Sequence, residues 1–107
     1  MKAQLVFATK RVVYLRFGGQ ITVYMDCYEI GDAKLGFAKA FTFSWIAFDS
    51  SDPKRMVLMD QHTGRPCHLH VGEKDIVLSE LPETIDAAIN LFWFEVKKHF
   101  GEILEAP

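Results

Sequence analysis

The chain has 107 residues and a formal net charge of −2, with 50% hydrophobic and 24% charged residues. This length predicts one domain over residues 1–107, and the apolar half suffices for a hydrophobic core without a disulfide or a structural metal. The charge gives no overall electrostatic case for nucleic-acid binding. No apolar run approaches the roughly 20 residues that cross a bilayer, so no membrane partner is predicted.

The first third of the chain predicts a β-hairpin. Strand-favouring residues occupy positions 10–17 and 21–25, and Gly18 and Gly19 lie between them. Glycine readily adopts the positive φ angles of a tight hairpin turn, so this pair indicates where the chain reverses. The next apolar run, residues 37–49, carries hydrophobic side chains on both faces, which predicts a central strand.

Two more strands and a helix complete the predicted elements. The strands cover residues 55–62 and 67–71, and residues 74–78 either extend the second strand or form a sixth. The helix covers residues 82–100, with Ser79 as its candidate N-terminal cap. We therefore predict an α+β fold, an antiparallel β-meander of about five strands with one long C-terminal helix packed across it.

The predicted helix is apolar on more than one side. Besides the stripe that recurs at helical spacing, Leu91, Trp93 and Phe94 add hydrophobic surface. Two arrangements would bury this surface: a sheet that curls around the helix, or a homodimer formed through Leu91 and Phe94. Both remain open at the level of the sequence.

The polar chemistry of the chain is concentrated in residues 60–70, which read DQHTGRPCHLH and hold three of its four histidines. Side chains alternate along a strand, so Asp60 shares a face with His62, and His68 shares a face with His70. If the two strands pair as a hairpin, His62 can lie opposite His68. Asp60 then lies opposite His70, and facing Cβ atoms are about 5 Å apart. A register that slips by one residue would separate the two pairs.

These side chains suit two kinds of chemistry. Three imidazoles and a carboxylate are enough ligands for zinc or another divalent ion. Alternatively, two histidines can accept and donate protons while RNA is cleaved by its own 2′-hydroxyl, which requires no metal and no other cofactor. Arg65 would then supply a cation for the phosphorane, and Asp60 would orient one imidazole.

The candidate catalytic residues are therefore Asp60, His62, Arg65, His68 and His70. The third interpretation of the same segment is a solvated polar strand and turn with no chemical role. The dense spacing of the histidines, which alternate on one face, is the observation that favours a functional site over this simpler interpretation.

The two cysteines, Cys27 and Cys67, are far apart in sequence and lack the spacing of a metal-binding or redox pair. No secretory signal is recognisable in residues 1–9. We therefore predict a cytoplasmic protein with both thiols reduced.

The order of these features resembles the TumE-type family, small proteins proposed as toxins of bacterial and archaeal toxin–antitoxin pairs. The resemblance covers roughly residues 38–96: an aromatic strand, then Asp-x-His and His-x-His elements, then a helix that begins near a serine. The matching positions are Asp60, His62, His68, His70 and Ser79.

This resemblance implies a toxin of a type II pair, neutralised by a helix-turn-helix antitoxin protein, with RNA as the substrate class suggested by analogy. The alternative is a non-catalytic interaction or metal-binding domain that forms a homodimer through its C-terminal helix.

Overall fold

The computed structural model describes residues 4–29, 41–62, 67–76, 78 and 81–104. Of these residues, 60% lie in strands and 19% in a helix. The described strands are β1 Gln4–Leu15, β2 Gln20–Glu29, β3 Phe41–Asp49, β4 Asp52–Gln61, β5 His68–Val71, β6 Lys74–Ile76 and β7 Ile103–Leu104. The helix, α1, spans Ile85–Phe100.

All seven strands belong to one antiparallel sheet, in the order β6, β5, β4, β3, β2, β1, β7. Strands β1 to β6 form a meander, in which each strand pairs with the next one along the chain. After β6 the chain runs through α1 and returns to the opposite edge of the sheet, where β7 pairs with β1.

The predicted α+β fold with about five strands and one long helix is therefore wrong. The described chain is mostly β, with seven antiparallel strands in a curled sheet and one short helix. β6, Lys74–Ile76, lies within residues 74–78, which were predicted either to extend the preceding strand or to form a sixth. β7 was not predicted, because its two residues are too few for a hydrophobic period.

The first strand begins at Gln4, well before the predicted residue 10. Nearly all of β1 is exposed on both faces, and Val13 is its single buried residue. Because most of this strand is exposed on both faces, its sequence does not alternate between apolar and polar residues. Only the part near the turn was therefore predicted. The predicted turn is confirmed: β1 and β2 pair as a hairpin, and Gly18 and Gly19 have φ angles of 107° and 92°.

The helix begins later than predicted because Thr84 caps it. The Thr84 hydroxyl accepts a hydrogen bond from the backbone N–H of Ala87 at 3.0 Å, which satisfies one of the free donors of the first turn. The predicted cap, Ser79, lies outside the described residues. At the other end, the N–H of Gly101 donates to the carbonyl of Lys97 at 2.8 Å. The helix is thus confined to Ile85–Phe100, where residues 82–100 were predicted.

The core lies between one face of the sheet and one stripe of α1. Trp45, in β3, is fully buried at its centre, with its ring stacked on Phe43 at 4.1 Å and edge-on to Phe92 at 5.8 Å. The helix contacts β3 and β4 and covers the middle of the sheet. The fully buried hydrophobic side chains are Ile21, Val23, Cys27, Trp45, Ala47, Val57, Met59, Leu69, Ala88, Phe92 and Val96.

Candidate functional site

The sheet has a second face, opposite α1, and we call the side chains on it the outer face. Strand pairing aligns them in three rows that run across the sheet. The first row is Lys10, Tyr24, Ile46, Leu58, His70 and Asp75; the second is Ala8, Asp26, Ser44, Asp60 and His68; the third is Val12, Thr22, Phe48 and Met56. These residues are half-buried or exposed, and no described element lies over them.

Three of the five predicted site residues lie on this outer face. Asp60 faces His68 directly, and His70 faces Leu58. The register therefore differs by two residues from the predicted one, in which Asp60 faced His70. A two-residue shift keeps every side chain on its own face, so the prediction that Asp60, His68 and His70 share one surface is confirmed.

The spacing of the two histidines follows from the strand that carries them. The ring centroids of His68 and His70 are 6.4 Å apart, and their planes are 19° from parallel. Two residues of extended chain span roughly 6.6 Å, so this separation is simply the repeat of the strand. The arrangement holds two imidazoles side by side with their edges available to solvent or a ligand.

Each end of the histidine pair has a carboxylate of its own. Nδ1 of His70 is 3.9 Å from Oδ1 of Asp75, which lies opposite it in β6. Asp60 is the facing partner of His68 across the β4–β5 pair. Asp75 was not among the predicted site residues, because the sequence left open whether residues 74–78 extend the preceding strand or form a strand that pairs with it. The alternation Lys74, Asp75, Ile76 was the only available signal.

The remaining predicted residues lie at or beyond the end of the sheet. Nε2 of His62 is 3.8 Å from Oδ2 of Asp60, and the His62 side chain is 59% exposed just past the end of β4. Arg65, the predicted source of positive charge, lies outside the described residues. The described part of the predicted site thus consists of one carboxylate and three imidazoles.

A metal site was the other prediction for this cluster. Among the described residues, no group of three or more His, Cys, Asp or Glu side chains is arranged to hold a metal ion.

The cysteines contribute no nucleophile to this surface. Cys67 precedes His68 and is buried on the core side, as its alternation predicted. Burial, followed by the nearby charge of Asp60, raises the pKa of the Cys67 thiol to about 12. Burial, followed by the charges of Asp26 and Glu29, raises the pKa of Cys27 to about 11. Both thiols are free.

The centre of the outer face is apolar. Ile46 and Leu58 face each other across β3 and β4 and are only half-buried. Next to them, the rings of Tyr24 and Phe48 stack at 6.1 Å with planes 15° apart, and Nζ of Lys10 lies 5.4 Å from the Tyr24 ring centroid. On the central strands β3 and β4, the apolar pair Ile46 and Leu58 thus lies beside the polar pair Ser44 and Asp60, and the outermost residues of the first row, Lys10 and Asp75, are charged.

A shallow depression lies at the far end of the sheet from the histidines. Its volume is about 350 Å³, and its lining is Ala8, Thr9, Lys10, Tyr24, Met25 and Asp26. Lys10 and Asp26 provide one charge of each sign there. This end of the outer face received no prediction, although the alternation of residues 20–28 could have identified the exposed tyrosines.

No family model matches this chain, and no match emerges among curated proteins or solved structures. The resemblance to the TumE-type family therefore stays a prediction. In the part of the chain that the structure describes, no helix is long and apolar enough to cross a membrane.

Proposed function

We propose that this protein acts by binding another protein through its outer face, without catalysis. The observation that carries the proposal is the half-buried apolar pair Ile46 and Leu58, on a sheet face over which none of the described elements lies. An exposed hydrophobic surface rimmed by polar groups marks an interaction site in most soluble domains. The partner must offer an apolar centre bordered by both signs of charge.

The charges of the outer face favour this function over binding of RNA. Within its three rows stand three carboxylates, Asp26, Asp60 and Asp75, and a single lysine, Lys10. Lys10 and His70 are separated by three intervening strands, which corresponds to about 19 Å at the usual strand spacing. A phosphate at the histidines would thus meet carboxylates without compensation from that lysine.

The test compares RNA cleavage by the wild type and by a variant without the two histidines. Purified protein is incubated with a mixed-sequence RNA in the presence of a chelator, and RNA length is followed on a gel. We expect no cleavage, and no difference between the wild type and a His68→Ala, His70→Ala double variant. RNA cleavage that disappears in the double variant would overturn the proposal.

A second candidate function is the acid–base cleavage of RNA, and one observation favours it. The parallel rings of His68 and His70 lie on an open face, and each has a carboxylate across the sheet that could orient it. The pair would accept the proton of the 2′-hydroxyl and donate one to the leaving oxygen. Activity that depends on both histidines, and persists in a Leu58→Asp variant, would establish this function.

The role as a toxin of a toxin–antitoxin pair is a separate proposal. Expression in a bacterial host would test it by growth arrest, with co-expression of a neighbouring helix-turn-helix protein as the antitoxin control. If toxicity works by binding, Leu58→Asp abolishes arrest and the histidine variants retain it. The free, buried thiols of Cys27 and Cys67 support the proposed cytoplasmic location, since reducing compartments keep thiols unpaired.

A further inference from the structure

We propose that the partner of the outer face is a second copy of this chain. Building on the proposed function, this inference specifies a face-to-face dimer whose two-fold axis runs parallel to the strands, between β3 and β4. Two sheets packed in this way lie about 10 Å apart with their strands nearly aligned. Each row of one copy then faces the same row of the second copy, with the order of its residues reversed.

Each residue of the first row meets a complementary one when two copies of the row face each other in opposite directions. From β6 to β1, the row consists of Asp75, His70, Leu58, Ile46, Tyr24 and Lys10. Reversal sets Leu58 opposite Ile46 of the second copy at the centre. It also sets His70 opposite Tyr24, and Asp75 opposite Lys10, so opposite charges meet at the border.

The other two rows show the same complementarity about the same axis. In the second row, His68 comes opposite Asp26 of the second copy, and Asp60 comes opposite Ser44. In the third row, Met56 comes opposite Phe48, a sulfur–aromatic pair. None of these pairs sets two like charges against each other.

The alternative two-fold axis, along the rows, is unfavourable. An axis centred on the first row would set each strand against its own copy, with Lys10 opposite Lys10 and Asp75 opposite Asp75. Like charges directly opposite one another destabilise an interface and disfavour that orientation. The charges of the first row therefore favour the axis parallel to the strands.

The helix offers a weaker surface for a second copy. Of the two residues predicted to mediate a helical dimer, Phe94 is 61% exposed and Leu91 is half-buried. Phe94 is flanked in sequence by Trp93, which packs against the core cluster, and by Glu95. The helix thus offers one exposed ring beside a carboxylate, whereas the outer face has facing apolar pairs in two of its rows.

The experiment measures the dimer dissociation constant by sedimentation equilibrium. The wild type is expected to dimerise, and Leu58→Asp to weaken the dimer at least about a hundredfold, because it buries a carboxylate in the apolar centre. Phe94→Asp, a matched control on the helix, should leave the constant unchanged. Circular dichroism establishes that each variant is folded.

Charge reversal provides a second test at exposed positions that do not contribute to the core. Lys10→Glu or Asp75→Lys alone should raise the dissociation constant about tenfold, since each places like charges at both ends of the interface. The two reversals together should restore the wild-type value. Added salt should shrink the effect of the single variants.

Three results would overturn the inference. They are a wild-type protein that stays monomeric at every concentration tested, a dimer that survives Leu58→Asp but not Phe94→Asp, and single reversals that the double variant fails to rescue. None of these results depends on RNA. The RNA assay decides whether the outer face catalyses, and sedimentation decides whether the second copy occupies it.

Discussion

The ring of Phe92 stands edge-on against the indole of Trp45, with their centroids 5.8 Å apart. This contact joins the middle of α1 to the centre of β3, and both side chains are fully buried. Edge-to-face aromatic pairs add to the stabilisation that burial of the rings provides. Because α1 is the only described helix, this contact is a main determinant of whether the core face of the sheet stays covered.

Removal of the Phe92 ring should cost more stability than any exposed substitution in the helix. We expect Phe92→Ala to lower the free energy of unfolding by about 3–5 kcal/mol, because it leaves a cavity beside Trp45. Phe94→Ala, two residues along and 61% exposed, should change it by less than about 0.5 kcal/mol. Urea unfolding followed by circular dichroism measures both, and equal losses would contradict this packing.

The cap at Thr84 should be detectable in the same assay. Thr84→Ala removes the acceptor for the Ala87 N–H and is expected to lower the free energy of unfolding by about 1 kcal/mol. Thr84→Ser keeps a hydroxyl and should retain most of the stability. If Thr84→Ala is as stable as the wild type, the helix begins elsewhere.

Acid should destabilise the fold in part through His99. Burial, followed by the charge of Arg55, lowers the pKa of His99 below its ordinary value of 6.5. Its Nε2 is buried and has no hydrogen-bond partner among the residues that the structure describes. Above the ordinary value His99 is neutral in both states. As the pH falls below it, the unfolded chain takes up the proton first, and stability is lost.

The measurement is the free energy of unfolding from about pH 7.5 down to about pH 5.5, in the wild type and in His99→Gln. The variant should lose less stability over this interval, because its side chain does not titrate. Identical slopes in the two proteins would show that His99 is free to take up a proton in the folded state.

Both thiols should resist alkylation while the protein is folded. Burial raises the pKa of Cys27 to about 11 and that of Cys67 to about 12, so little thiolate forms at about pH 8. We expect mass spectrometry to find no iodoacetamide adduct on the native protein and two adducts in concentrated guanidinium chloride. Rapid native labelling of Cys67 would mean that the β4–β5 hairpin opens.

Sequence patterns predicted the interior of this fold better than its borders. The turn at Gly18 and Gly19 was predictable because it requires positive φ, and β3 because it is apolar on both faces. The borders lack such signals. β7 and the exposed part of β1 form strands because each pairs with residues distant in sequence. A local sequence pattern does not encode such pairing.

The candidate site shows the same division. Alternation was enough to predict that Asp60, His68 and His70 share a surface, because a strand repeats every two residues whatever its register. The pairing itself was not predictable. The actual register sets His70 opposite Leu58, which joins the polar cluster to an apolar row. The order of the residues in that row is known only once the pairing of all its strands is known.

The pairing of β7 with Tyr14 and Leu15 has a consequence for synthesis of the protein. During translation, this edge of β1 emerges early and stays open until residues 103–104 leave the ribosome. For most of that time the growing chain presents an unpaired strand end carrying Tyr14 and Leu15, which can pair with another nascent chain. Arrival of the last described strand closes this end of β1, so we expect chains that lack it to self-associate more readily than the full chain.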